Sequence, residues 1–155
     1  MNDDRETLVL SASQQRQIER AAIEAYPNEC CGIILGVQCE RSHERRASLV
    51  MPADNAFESS QRFHRFSISP KILMDAENLA GERGELVLGF YHSHPDHPAN
   101  PSEFDREHAW PFYSYLIVSV AASIAAEMKC WQLNDKTEQL EPQPMRVDGD
   151  DAIRS

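Results

Sequence analysis

The chain has 155 residues, about one domain's worth, and no stretch approaches the roughly 20 apolar residues of a membrane-spanning helix. Hydrophobic residues make up 41% and charged residues 26%, which excludes a disordered or fibrous chain. Fifteen Lys and Arg against 25 Asp and Glu leave a net charge of −10, which repels phosphate backbones and argues against nucleic acid as a partner.

Thr7 to Leu10 reads as a short apolar strand. Ser11 and Gln14 form the S-x-x-Q of a capping box, and Ile18, Ala21, Ala22 and Ala25 recur at helical spacing. Together they predict a helix over 12–26, stopped by Pro27. Gly32 to Val37 reads as a buried strand, Arg45 to Pro52 as a second, and Arg62 to Ile68 as a third. Between the first two, the basic cluster Arg41 to Arg46, interrupted by Glu44, reads as a solvated hairpin. Ser69-Pro70 is a helix start, with a hydroxyl cap and proline at the first helical position. Ile72, Leu73, Ala76, Leu79 and Ala80 supply its apolar stripe, and Gly81 and Gly84 its stop. An apolar strand from Glu85 to Tyr91 runs into His92-Ser93-His94-Pro95. A proline-stiffened loop follows, then a short helix from Ser102 to about His108 and two strands, Tyr115 to Ala121 and Met128 to Leu133. From Glu141 onward the chain is polar and reads as a flexible tail, so the domain is expected over 1–140 and the tail over 141–155. The order of elements predicts an α+β domain with one main sheet and two or three covering helices.

The N-terminus is acidic and lacks the basic-then-apolar order of a signal peptide, which gives the expectation of a cytoplasmic protein. Cys30, Cys31, Cys39 and Cys130 fit that compartment as reduced, buried thiols, and their spacing is not that of a zinc ribbon.

The chemistry is concentrated in His92 to Asp105. On a strand, residues i and i+2 share a face about 6.6 to 6.8 Å apart, so His92 and His94 can close on one cation. Ending an apolar strand, they are expected at a sheet edge where a site can open. Zinc accepts histidine nitrogen and carboxylate oxygen and keeps an open position in catalytic sites. Asp105, in the first turn of the short helix, is the best third ligand; two neutral imidazoles and one carboxylate leave a positive, Lewis-acidic centre. Each piece has a plainer explanation. An H-x-H pair is common in strands, and Ser102 with Asp105 also spells a capping box. The string H-x-H-x-D-H, from His92 to His97, resembles the metallo-β-lactamase signature, but that fold needs more histidines downstream and a longer chain, and the last histidine here is His108.

The pattern H-S-H-P, six residues, S-x-x-D resembles the JAMM motif of the MPN (Mov34/PAD-1) metallopeptidase family. The family's upstream glutamate has its counterpart in Pro27-Asn28-Glu29-Cys30-Cys31-Gly32, and the similarity extends through Asp54-Asn55-Ala56 and the helix at Pro70, covering roughly residues 7–133. The resemblance implies a single MPN-like domain with a curved mixed sheet in cytidine-deaminase-like α/β/α layering. It implies one zinc ion per chain held by His92, His94 and Asp105, with Glu29 as general base and acid and Ser102 as oxyanion donor. Glu29 follows a helix C-terminus, where the dipole disfavours negative charge, and that gives a reason for a raised pKa. The chain is similar to compact prokaryotic members, which implies a peptidase or isopeptidase acting after the C-terminal Gly-Gly of a ubiquitin-like protein such as a sulfur carrier. An extended tail can add to a sheet edge, and the His92 strand and Met51 to Phe57 are the expected borders of its groove. Two other readings stand beside this one: a non-catalytic MPN scaffold, and a small-molecule metal-dependent amidohydrolase. The sequence leaves open whether the chain forms a homodimer.

Overall fold

A computed structural model describes residues 5–57 and 67–150. Its elements run β1 (Thr7–Ser11), α1 (Ala12–Ala25), β2 (Cys31–Cys39), β3 (Glu44–Ala53), α2 (Pro70–Glu82), β4 (Leu86–Pro95), α3 (Glu103–Glu107), β5 (Ser114–Ala121), β6 (Ile124–Asn134), β7 (Gln139–Gln143) and β8 (Met145–Asp148). The eight strands form one mixed sheet in the order β7-β6-β5-β4-β2-β3-β1-β8. β4 pairs parallel to β5, and β1 parallel to both β3 and β8; the remaining pairs are antiparallel. The predicted strand Arg62 to Ile68 falls for the most part outside the described residues. Among the described residues no helix is long and apolar enough to cross a membrane.

The two long helices lie on opposite faces of the sheet because its central strands are apolar on both sides. Ile34 points to the α1 face, where it joins Leu10, Ile18, Ala22, Leu88, Tyr91, Leu116 and Val118. Its neighbours Ile33 and Leu35 point to the other face and pack with Ala76, Ala80 and Val87 under α2. Each fully buried Leu or Ile here stabilises the fold by about 1.5–3 kcal/mol.

Helix starts follow the sequence signals. In α1 the Ser11 hydroxyl accepts from Gln14 N at 3.1 Å and the Gln14 side chain accepts from Ser11 N at 2.8 Å. In α2 the Ser69 hydroxyl accepts from Ile72 N at 3.3 Å with Pro70 at the first helical position. Of the two glycines expected to end α2, Gly81 lies inside its last turn, and Gly84, at φ +67°, makes the left-handed stop. Another glycine, Gly89, sets a strand contact: a Cβ there would lie 1.9 Å from the Ser114 carbonyl oxygen on β5.

Two expectations are corrected. The 41–46 segment does include a turn, but Arg45 is buried, with 3% of its surface exposed. Its guanidinium reaches Ser114 Oγ at 3.1 Å and the Phe112 carbonyl, and lies 4.4 Å from the centre of the Phe112 ring. It therefore ties β3 to the start of β5 instead of facing water.

The second correction concerns the tail. Residues 139–148 form β7 and β8, which lie at opposite ends of the strand order with only Pro144 between them. One residue spans at most about 3.6 Å, so the two ends of the sheet must be neighbours in space and the sheet curls round on itself. Gln143 Nε2 donates to the Glu6 carbonyl at 2.9 Å and Leu8 N donates to the Pro144 carbonyl at 2.9 Å, closing the seam. A polar composition hides this role because both strands cover an edge, where backbone pairing carries most of the contact. Arg146 pairs with Glu44 at 2.7 Å on the same seam, and with Arg46 holds the Glu44 carboxyl below its usual range. Deleting residues 141–155 exposes the flank of fully buried Leu8 and Leu10 and is expected to cost at least about 3 kcal/mol. A urea denaturation midpoint equal to that of the full chain would contradict this.

Candidate metal centre

His92 and His94 lie within β4, on the face that also carries α2. The expected edge position is not what the structure has. β4 is fourth of eight strands, paired on one side to β2 (His92 opposite Cys31) and on the other to β5 (His92 opposite Ile117, His94 opposite Ser119). The site opens at the carboxyl end of a central strand, because backbone pairing continues through both histidines.

His92 Nε2 and His94 Nε2 are 3.2 Å apart. Asp105 Oδ2 lies 3.3 Å from the first and 3.0 Å from the second. A tetrahedral ion with bonds of about 2.0–2.2 Å requires donor atoms roughly 3.3–3.5 Å apart, so these three atoms have nearly the spacing of one face of a zinc tetrahedron. The α3 capping box aims the carboxylate: the Ser102 hydroxyl accepts from Asp105 N at 3.1 Å, and Ser102 N donates to Asp105 Oδ2 at 2.9 Å. His94 Nδ1 donates to the Pro98 carbonyl at 2.9 Å, which fixes its tautomer and leaves a lone pair on Nε2 facing the cluster. The loop that supplies this carbonyl is pinned to β6, where Glu127 Oε1 accepts from Ala99 N at 3.1 Å and Trp131 Nε1 donates to Ala99 O at 3.0 Å.

Glu29 closes the cluster. One donor atom from each of Glu29, His92 and His94 lies within 4.8 Å of the others. Glu29 is 6% exposed, and its Oε1 is buried with no hydrogen-bond partner among the described residues. Burial, reinforced by the charge of Asp105 and opposed by His94, pushes its carboxyl up to about 8. The expected cause, the end of α1, is secondary: that helix stops at Ala25, and burial dominates. Burial also lowers the His92 pKa. For His94 burial pulls the same way, but hydrogen bonds with Asp105 and the Pro98 carbonyl outweigh it and the pKa rises. For Asp105, burial is overcome by the charge of His92 and by hydrogen bonds from both histidines and Ser102 N, which hold the carboxyl below its usual range.

A family profile for prokaryotic homologues of the JAB domain matches residues 11–134. The chain belongs to that family. It is 33% identical over 94 residues to a desampylase from Haloferax volcanii, covering 60% of this chain and 63% of the relative. It is 31% identical over 85 residues to tail tip assembly protein K of Escherichia phage N15, covering 55% of this chain and 29% of that protein. The chain thus spans less than two thirds of either relative. Among solved structures, a Desulfitobacterium hafniense protein superposes with a TM-score of 0.79 at 27% identity, covering 93% of this chain and 94% of that one. A Salinibacter ruber protein gives 0.68 at 31% identity over 90% of both chains. A JAB1/MPN domain protein from Archaeoglobus fulgidus gives 0.54 at 18% identity over 90% and 98%, which bears on the fold alone.

Within this JAB domain the alternative histidine signature does not assemble. The Asp96 carboxylate accepts from the Tyr26 hydroxyl at 2.8 Å, and His97 is absent from the cluster. The thiols are free; Cys31 and Cys130 are buried as expected, whereas Cys30 and Cys39 are half-buried. A cavity of about 260 Å³ opens beside the site, walled by Leu73, Phe90, Phe104 and Ile117, with His92 and Asp105 in its lining. Trp110, 69% exposed, stands at its rim, and of the stretch Met51 to Phe57 it is Phe57 that lines it. Residue types alone do not mark Pro98, Glu127 or Trp131, because Pro98 acts through its own carbonyl and the other two through the backbone of Ala99. Ser93 had a weak signal: its place between two histidines puts it on the opposite face, against Cys30.

Proposed function

We propose that this chain is a zinc-dependent peptidase or isopeptidase that cleaves after the C-terminal diglycine of a ubiquitin-like protein, such as a sulfur carrier. The observation that carries the reading is a buried carboxylate oxygen, Glu29 Oε1, without a hydrogen-bond partner among the described residues, beside three donor atoms 3.0, 3.2 and 3.3 Å apart. His92, His94 and Asp105 would hold the ion, one per chain. Bound there, zinc supplies Lewis acidity, polarising a carbonyl and making water acidic near neutral pH. Glu29 takes a proton from the attacking water and returns it to the leaving amine. In this reading Asp105, whose Oδ2 lies 3.3 and 3.0 Å from the two imidazole nitrogens, is the third ligand and Glu29 the outer partner.

The Ser102 hydroxyl has one donor and two acceptor sites; the helix cap uses an acceptor and leaves the O–H for a developing oxyanion. The apolar cavity receives the substrate chain beside the centre and keeps water from it. The similarity to a desampylase supports hydrolysis of conjugates of ubiquitin-like proteins. The family's fold without a ligand set would give only a scaffold, whereas here every expected position carries a competent side chain.

The direct assay offers the purified protein a panel of small ubiquitin-like proteins with extensions after Gly-Gly, with and without chelator, and reads mass. Loss of the extension only without chelator is expected. No cleavage of any member, or cleavage unaffected by chelator, would contradict the reading.

A further inference from the structure

We infer that Asn55 is a positioning residue that couples the cavity wall to Glu29; the inference rests on the proposed role of Glu29 in proton transfer. Glu29 lies between α1 and β2, outside regular structure. The direction in which its side chain leaves the backbone depends on the Glu29–Cys30 peptide. That peptide is gripped on both edges by side chains. Its N–H donates to Ser93 Oγ at 2.8 Å, and its carbonyl accepts from Asn55 Nδ2 at 3.2 Å. Ser93 stands between His92 and His94 and carries one edge to the histidine strand.

Asn55 carries the other edge elsewhere. Its Oδ1 accepts from Phe57 N at 3.0 Å and from Ser67 N at 3.1 Å, and Ala56 N donates to Ser67 O at 2.7 Å. Phe57 and Ser67 line the cavity whose wall includes His92 and Asp105. A single amide therefore touches both the peptide that aims Glu29 and the wall against which a substrate chain would press. Only a side chain with donor and acceptor on one planar group can hold both contacts. Aspartate keeps the acceptor arm and loses the donor; alanine loses both. Misplacing a catalytic group by about 1 Å can cost on the order of a hundredfold in rate.

The test compares the zinc-loaded wild type with Asn55→Asp and Asn55→Ala on a ubiquitin-like protein extended after Gly-Gly. It adds proton NMR contacts between Glu29 and the His94 ring and amide exchange in the metal-free chains. Asn55→Asp is expected to lower kcat roughly tenfold to a hundredfold across the whole pH profile, with KM and zinc stoichiometry unchanged. The Phe57 and Ser67 amides should keep their protection, and the Glu29–His94 contacts should weaken. Asn55→Ala should show the same fall in kcat, a raised KM and faster exchange at both amides. An unchanged kcat plateau in Asn55→Asp, or a mere sideways shift of its pH limb from the added charge, would overturn the inference. If the wild type cleaves nothing, the proposed role of Glu29 fails by itself. The NMR contacts still decide the positioning, and identical contacts in all three chains would overturn it.

Discussion

Replacing Glu29 with glutamine is expected to lower kcat by about 10²–10⁴-fold while the zinc content stays that of the wild type. The amide has the same shape and cannot take a proton. The same substitution should stabilise the metal-free chain at alkaline pH, and the sign follows from the buried carboxyl. Its pKa is about 8 in the folded chain against an ordinary value of 4.5. Between those values the folded state holds a proton that the unfolded state has released, so stability is fully present below 4.5 and is lost as pH rises towards 8. Each pKa unit corresponds to about 1.4 kcal/mol, so the loss amounts to a few kcal/mol. Glutamine has no proton to lose. Urea denaturation of the two chelated proteins at pH 8 should find Glu29→Gln the more stable, with the difference shrinking towards pH 5. Normal turnover in the variant would reject Glu29 as the proton carrier, and equal stability at pH 8 would reject its burial as a carboxylate.

Asp105→Asn should weaken zinc binding by more than about a hundredfold, the upper range for loss of a mere outer partner. The amide can still accept from Ser102 N, so the cap and fold survive while the charge on the ion's site is gone. His94→Ala should abolish binding by removing a donor. With His94 in the proposed ligand set, metal and proton would compete for it in the wild type, since a ligand must be neutral. Contacts with Asp105 and Pro98 lift the His94 pKa above 6.5, so affinity should decline already as pH falls through that value. In Asp105→Asn the Asp105 share of that lift is lost while the Pro98 contact stays, and the decline should begin at lower pH. Zinc competition with a chromogenic chelator between pH 5 and 8 reads both effects. Affinity that is flat over this range, or stoichiometric zinc in His94→Ala, would remove these residues from the ligand set.

The local signals in the sequence were reliable where the cause was itself local. Ser11 with Gln14, Ser69-Pro70 and Ser102 with Asp105 start helices because each satisfies its own backbone within three residues. The H-x-H pair and Asp105 were legible as a cluster because strand period and cap geometry aim them. Strand order was not legible. An apolar run such as 86–91 reads the same at an edge as in the centre, so its place as the fourth of eight strands is not in the pattern. The seam at Gln143-Pro144 was also hidden, since strands that only cover an edge need no apolar pattern. Asn55 stood in a recognisable stretch, yet its bonds join residues 12 and 26 positions apart in sequence, and only folding brings those together.

The most direct measurement is anomalous diffraction at the zinc edge from crystals of the zinc-loaded protein. One peak is expected per chain, about 2.0–2.2 Å from His92 Nε2, His94 Nε2 and an Asp105 carboxylate oxygen, with the Glu29 carboxylate nearby but outside bonding distance. A peak bonded to Glu29 in place of Asp105, a peak at the cysteines, or no peak at the histidines would contradict the account.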